Sequence, residues 1–338
     1  MEIKVCIIGC GDRGRAHAEV WAQHPNVRVV AVSDTDTERA TALAAVTGAT
    51  EYDDWREAIK HHSVSIISQC VPSSLHADIT CFAAEHGRHV FGEKPLALTL
   101  KEGERIASCI RDTGVVFMPC FQYRDRWLYR KYRNAFQRQV LGTPLVFRHT
   151  GISEIRPKIA MHRSSMNGGP VIDLACHYFD LFRWITDAEP HSVYAGGNVF
   201  GRSKPQLESI DDLAVDTASI EVDYSDGHQL QLFVSWGMPR GFSSLSEDHM
   251  VGPNGLIRQI DNGLEERIGN KTRQINETEN SESDLMVRTK QFIHAVERNE
   301  PPDITCDDAL TALKVSHAAL RRLGFHHRPS DPIRDGAF

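Results

Sequence analysis

Gly9-Cys10-Gly11-Asp12-Arg13-Gly14 has the spacing G-x-G-x-x-G. It follows a short apolar run, Lys4 to Ile8, and opens a helix-patterned segment from Arg15 to His24. In that context the spacing suits a dinucleotide. Gly9 permits the tight turn, Gly11 lets the backbone approach a pyrophosphate, and Gly14 allows helix and strand to pack closely. Asp12 and Arg13 fill the variable positions of the loop, where the helix start turns amide donors and its positive dipole end toward phosphate. Asp34 follows at the end of the next predicted strand. A carboxylate there accepts hydrogen bonds from the adenine ribose and repels a 2′-phosphate, so the expected cofactor is NAD rather than NADP. The structural alternative is a glycine turn followed by a helix-capping aspartate.

A second set of residues suits the oxidation of an alcohol. Hydride removal needs a group to take the hydroxyl proton and a cation to stabilise the developing oxyanion. His177 has the ordinary pKa for the first task. Lys94 suits the second. Asp173 precedes His177 by four positions, which a helix places on one face. Each has a structural alternative: Asp173 as a helix cap, His177 as a core histidine beside Tyr178 and Phe179, and Lys94 as a turn residue before Pro95. Asp180 reads as a structural polar contact. Arg163, Gln122 and Tyr123 are candidate substrate contacts, and His76 reads equally well as a cofactor-side residue or a helix start.

The elements that must position these residues alternate at first. Strands are expected at Lys4 to Ile8, Val27 to Ser33, Val64 to Ser68, His89 to Phe91 and Val115 to Met118. Helices are expected at Arg15 to His24, Glu38 to Val46, Leu75 to His86 and Thr99 to Asp112. This rhythm predicts parallel βαβ units as far as Phe121. Beyond it come a helix at Arg124 to Gln139, a strand at Leu145 to Ser153 and a helix at Asp173 to Ile185. Further strands are expected at Ser192 to Val199, Thr217 to Tyr224 and Gln229 to Trp236, the last two joined through Ser225-Asp226-Gly227. Two helices, Asp284 to Arg298 and Cys306 to Leu323, close the pattern, and Lys204 to Ser209 and Asn270 to Ser283 read as polar loops. The expected domains are residues 1–121, α/β with a doubly wound parallel sheet, and residues 122–338, α/β with an open, mainly antiparallel sheet.

Composition narrows the function classes. The 338 residues carry a formal net charge of −7, which disfavours a nucleic-acid partner. The basic stretch Arg124 to Arg138 is interleaved with aromatics at helical spacing and reads as a helix face. No apolar run reaches the ~20 residues of a membrane span, and the first residues read as a strand rather than a signal segment. A cytoplasmic location is expected. The eight cysteines include no Cys-x-x-Cys pair, so neither a metal site nor a redox pair is expected.

The glycine loop followed by His17, the stretch Val71-Pro72-Ser73-Ser74-Leu75-His76, Glu93-Lys94-Pro95, and Gly168-Gly169-Pro170-Val171-Ile172-Asp173-Leu174-Ala175-Cys176-His177 together resemble the Gfo/Idh/MocA family of glucose–fructose oxidoreductases and inositol dehydrogenases. The resemblance implies a Rossmann domain, an open-sheet domain that often forms an oligomer interface, and hydride exchange between NAD and a sugar or cyclitol carbon. It implies that Lys94 bonds the reacting oxygen, His177 transfers the proton and Asp173 fixes the substrate, with Glu93, Pro72 and His76 around the nicotinamide and its ribose. A homodimer or homotetramer through the second sheet is the family expectation. Three places depart from the family pattern: Asn167 and Ala175 replace frequent glycines, and Cys120-Phe121-Gln122-Tyr123-Arg124 stands where Gly-Phe-Asn-Arg-Arg is common. These leave the substrate open. Two other readings stay open as well, a glycosidase that uses NAD transiently and a non-catalytic dinucleotide sensor.

Overall fold

The computed structural model describes residues 2–61, 63–277 and 282–323. Its first part follows the expected rhythm: β1 (Ile3–Ile8), α1 (Asp12–Trp21), β2 (Val27–Ser33), α2 (Thr37–Thr47), β3 (Thr50–Tyr52), α3 (Trp55–Lys60), β4 (Ile66–Gln69), α4 (His76–Glu85), β5 (His89–Gly92), α5 (Leu100–Thr113) and β6 (Phe117–Pro119). The six strands are all parallel, in the order β3-β2-β1-β4-β5-β6. β1 and β4 are buried along nearly their whole length, on both sides of the sheet, because helices cover both faces. The strand order reverses between β1 and β4, and the carboxyl ends of the strands at such a point are the place where this topology takes ligands. α5 starts on a capping box in which Thr99 and Glu102 satisfy each other's backbone N–H groups. It ends at Gly114 in the left-handed conformation.

The second part comprises α6 (Trp127–Gln137), β7 (Val146–Glu154), α7 (Gly169–Asp173), α8 (Ala175–Thr186), β8 (Pro190–Asn198), β9 (Thr217–Tyr224), β10 (Gln229–Met238), β11 (Leu245–Gly252), β12 (Gly255–Ile260), β13 (Gly263–Ile268), β14 (Lys271–Asn276), α9 (Asp284–Arg298) and α10 (Cys306–Leu323). Its strands form one sheet in the order β14-β13-β12-β11-β7-β10-β9-β8, antiparallel except for β7 against β10. β9 and β10 are joined through the expected turn, with Gly227 at positive φ. Leu230, Leu232 and Val234 point into the core, while Gln229, Gln231 and Phe233 alternate outward. α9 returns to the first sheet, where Phe292 packs on Trp21 and Phe91. α10 packs against α5, α8 and β8. Among the described residues no helix is long and apolar enough to cross a membrane.

Three features differ from the sequence reading. β3 and α3 are too short to show a period. The strands β11 to β14 went unseen, and Lys271–Asn276, expected in a loop, is the edge strand β14. It is mostly exposed, so no buried face imposes apolar alternation on it. Residues 278–281 of that expected loop lie outside the described residues. A short helix, α7, precedes the helix expected from Asp173 to Ile185, which itself starts two residues later as α8; the two meet at Leu174. The first begins after Gly168 in a left-handed conformation, with Pro170 in its first turn.

Candidate active site

The glycine loop shows which of its glycines the fold itself requires. Gly9 has φ +93°, and a Cβ there would stand 2.4 Å from the Cys70 carbonyl oxygen. A Cβ on Gly14 would meet the Gly9 carbonyl oxygen at 2.0 Å. A Cβ on Gly11 meets nothing within 4 Å. The protein's own packing therefore needs Gly9 and Gly14, whereas at Gly11 it leaves open space at the N-terminus of α1. A side chain would fill that cradle, which fits the pyrophosphate of a dinucleotide. Asp34 is fixed beside the loop: its carboxylate accepts the Cys10 N–H at 2.6 Å and the Asp36 N–H at 2.9 Å. Asp12 lies at the surface and pairs with Lys158, 2.8 Å away, from the segment after β7.

Arg13 turns inward instead. Its Nε donates to Glu93 at 2.7 Å, and its guanidinium also reaches Gln122 Oε1 at 3.2 Å. His17, one turn further along α1, faces Glu93 at 3.1 Å and Ser68 at 2.8 Å. Burial opposes ionisation of Glu93, but Arg13, His17 and Lys94 outweigh it and hold the carboxyl well below its usual range. Donor atoms of His17, Glu93 and Cys120 lie within 4.8 Å of one another. Glu93 is already neutralised there by Arg13, and burial pushes the Cys120 thiol up. The cluster is thus a self-satisfied ion network that holds the end of β5 against α1.

Lys94 follows in the turn after β5, where Lys94–Pro95 is a cis peptide. The buried His76 ring lies between the Pro95 and Val71 carbonyl oxygens, at 2.8 and 3.0 Å. It thereby joins the turns at the ends of β4 and β5. Pro72 opens the short turn that leads into α4, accepting the Leu75 N–H at 2.9 Å. Within that turn Ser74 donates its N–H to Met166 O at 3.1 Å.

Lys94 Nζ donates to Asp173 twice, to Oδ1 at 2.8 Å and to the main-chain oxygen at 2.9 Å. Burial works against the ammonium charge, yet Asp173 outweighs it and holds Lys94 above the ordinary lysine value. His177 sits in the first turn of α8 and is buried. The Tyr123 ring stacks on it at 4.0 Å and 8°, and Phe121 meets it edge-on at 5.7 Å. Its Nδ1 is buried without a hydrogen-bond partner among the described residues. Burial, then the charges of Lys94 and Arg126, push the imidazole well below its ordinary value. A neutral imidazole can accept a proton, and a lysine held charged can stabilise an oxyanion, so the arrangement is competent for alcohol oxidation.

The structure links most of the candidate residues into one region: the glycine loop through Arg13 to Glu93 and Gln122, and Lys94 to Asp173. Arg163 is linked elsewhere, pairing with Asp212 at 2.6 Å. Asp180 forms a buried ion pair with Arg124 and is a structural contact, as expected. Sequence reasoning missed Arg126, whose guanidinium lies 3.8 Å from the centre of the Tyr123 ring. Its position three residues after Tyr123 was the available signal, but it was masked by the surrounding basic stretch.

Comparison with known proteins bears on the family and the fold. Residues 3–121 match the model of an oxidoreductase family with an NAD-binding Rossmann fold, and residues 129–255 match the GFO/IDH/MocA C-terminal domain. The chain is 26% identical over 329 residues to myo-inositol 2-dehydrogenase of Thermotoga maritima, covering 95% of this chain and 96% of that protein. It is 26% identical over 254 residues to D-glucoside 3-dehydrogenase of Escherichia coli, covering 70% and 71% of the two chains. The solved structure of a levoglucosan dehydrogenase with NADH and levoglucosan shares the fold, with a TM-score of 0.86 and 19% identity over 96% of this chain and 97% of that one. The chain accordingly belongs to the Gfo/Idh/MocA family of oxidoreductases, and its first part is that family's NAD-binding Rossmann domain.

Proposed function

We propose that this chain is an NAD-dependent dehydrogenase that exchanges a hydride with a secondary alcohol or ketone carbon of a sugar, sugar derivative or cyclitol. The observation that carries the reading is the pairing of a charged, twice-bonded Lys94 with Asp173 at the end of α7, four residues before a buried neutral His177 at the start of α8. In this reading the glycine loop, Asp34, Pro72, His76 and Glu93 hold the cofactor, whose nicotinamide accepts the hydride when bound. His177 takes the hydroxyl proton as the hydride leaves. Lys94 hydrogen-bonds the same oxygen and stabilises its developing charge, and Asp173 keeps Lys94 charged and in place. Gln122 lies at the substrate side and Tyr123 borders it against His177, while Arg163, paired with Asp212, stands outside this set. Residues 1–121 serve the cofactor, and residues 122–338 serve the substrate and assembly.

The sugar or cyclitol class is supported by the relatives, which are named for inositol and glucoside dehydrogenation. Assembly into a homodimer or homotetramer is supported by the outer face of the second sheet, where Tyr194 and Phe233 are exposed. The decisive experiment is a screen of sugars and cyclitols for NADH formation, followed by His177→Ala on the best substrate. The variant should bind NAD normally and lose about 10²-fold or more in kcat. Wild-type kcat in His177→Ala, or turnover without net NADH, overturns the reading.

A further inference from the structure

Tyr123 departs from the family pattern, and its surroundings assign it a task other than touching substrate. One face of its ring carries His177, with the ring centres 4.0 Å apart and the planes 8° from parallel. The Arg126 guanidinium lies 3.8 Å from the same ring centre. Both groups lie against this one ring, so guanidinium and imidazole stand no more than about 8 Å apart, and the Tyr129 ring also stacks on Tyr123, 5.6 Å away and 21° from parallel. Arg126 is itself held by Asp284 at the start of α9, with Nε to Oδ2 at 3.2 Å. Phe121 closes one edge of the imidazole.

We propose that Arg126 and Tyr123 form a stacked column that positions the His177 imidazole for proton transfer. The proposal rests on the dehydrogenase reading and deepens it: Tyr123 acts through His177, as a positioning residue. The ring excludes water from one face of the imidazole and fixes its plane. The guanidinium against it adds a positive charge that disfavours a second positive charge on the imidazole. The other charges acting on this ring are Lys94 from the turn after β5, Glu93 from the end of β5 and Arg13 from α1. Asp173, at the end of α7, is engaged by Lys94. Among these, Lys94, Arg126 and Arg13 oppose protonation, and only Glu93 favours it.

The test uses Arg126→Gln, Tyr123→Phe and Tyr123→Ala in the full chain. The titration of His177 is followed by NMR of protein labelled on the histidine rings, its signal assigned by loss in His177→Asn. With a Coulomb interaction over about 8 Å at an effective dielectric of roughly 20, about 2 kcal/mol, removing the guanidinium should raise the His177 inflection by about 1–1.5 pH units, the lower figure allowing for salt screening. Tyr123→Phe keeps the stack, so its His177 titration should match wild type and its kcat should fall less than that of Tyr123→Ala. Tyr123→Ala should lower kcat by about 10-fold with KM changed less than about 2-fold, because an unrestrained ring spends less time in the reactive orientation. Should Tyr123→Ala fail to fold, Arg126→Gln still decides: its side chain is 40% exposed, and an unchanged His177 titration there overturns the proposal. A Tyr123→Phe variant as impaired as Tyr123→Ala, or one whose loss is all in KM, reassigns Tyr123 to substrate binding. Failure of the dehydrogenase reading itself is separate. It appears as full activity in His177→Ala, whatever the titration shows.

Discussion

Lys94→Ala separates the chemistry of the site from its stability. Lys94 and Asp173 are 18% and 8% exposed, and their side chains meet at 2.8 Å. Removing one member of a buried pair leaves the other charge uncompensated and costs about 3–5 kcal/mol. The residual exposure, and the ability of Asp173 to take up a proton, reduce this to roughly 2–3 kcal/mol. Lys94→Ala should therefore melt several degrees below wild type. Adding Asp173→Asn should recover most of that loss, because the orphaned charge is gone. Activity should behave differently. Loss of the cation at the reacting oxygen should lower kcat by on the order of 10²-fold or more, about 2.7 kcal/mol of barrier. The double variant should stay inactive, since neutralising Asp173 restores no donor. Denaturant and thermal unfolding of the four proteins of the cycle measure the first quantity. Steady-state kinetics measure the second, and calorimetry with NAD checks that cofactor affinity is nearly unchanged. Near wild-type kcat in Lys94→Ala would refute the catalytic assignment. Equal stability losses in the single and double variants would refute the ion-pair argument.

Other outcomes follow from the loop, the ribose site and the buried histidines. Gly11→Val should fold normally, because its Cβ meets nothing within 4 Å, and should lose NAD binding in calorimetry. Gly14→Ala should instead destabilise the fold, because its Cβ would stand 2.0 Å from the Gly9 carbonyl oxygen. Normal NAD affinity in Gly11→Val would show that the pyrophosphate lies elsewhere. Wild type should bind NAD at least about ten-fold, or ~1.4 kcal/mol, more tightly than NADP, and Asp34→Ala should narrow that gap. Equal affinities in wild type would remove Asp34 from the ribose site. Burial lowers the folded-state pKa of His17, His76 and His177. Below the unfolded value of about 6.5 the unfolded chain thus binds more protons than the folded one. Stability should be full above that pH and fall as the medium is acidified, by up to ~1.4 kcal/mol per pH unit for each histidine. Urea midpoints between pH 7 and 5 test this, and a flat profile would contradict it.

What the sequence determined by itself is local. The G-x-G-x-x-G loop, the β2 strand Val27–Ser33 and the helices Asp284–Arg298 and Cys306–Leu323 were readable because short-range spacing and burial period specify them. Lys94, Asp173 and His177 were legible as residue types in family spacing. The tertiary structure decided how they meet. Lys94 lies 79 residues from Asp173 along the chain, and only the packing of the turn after β5 on α7 makes their two hydrogen bonds. The same holds for the Arg13–Glu93–His17 network and for the Tyr123–His177 stack. β14 was illegible because an exposed edge strand bears no alternation, and the break at Leu174 because helical spacing carries through it. The partners that shift the ionisation of Glu93, Lys94 and His177 come from elements far apart in sequence, and periodicity carries no information about which distant side chain will fill a buried space.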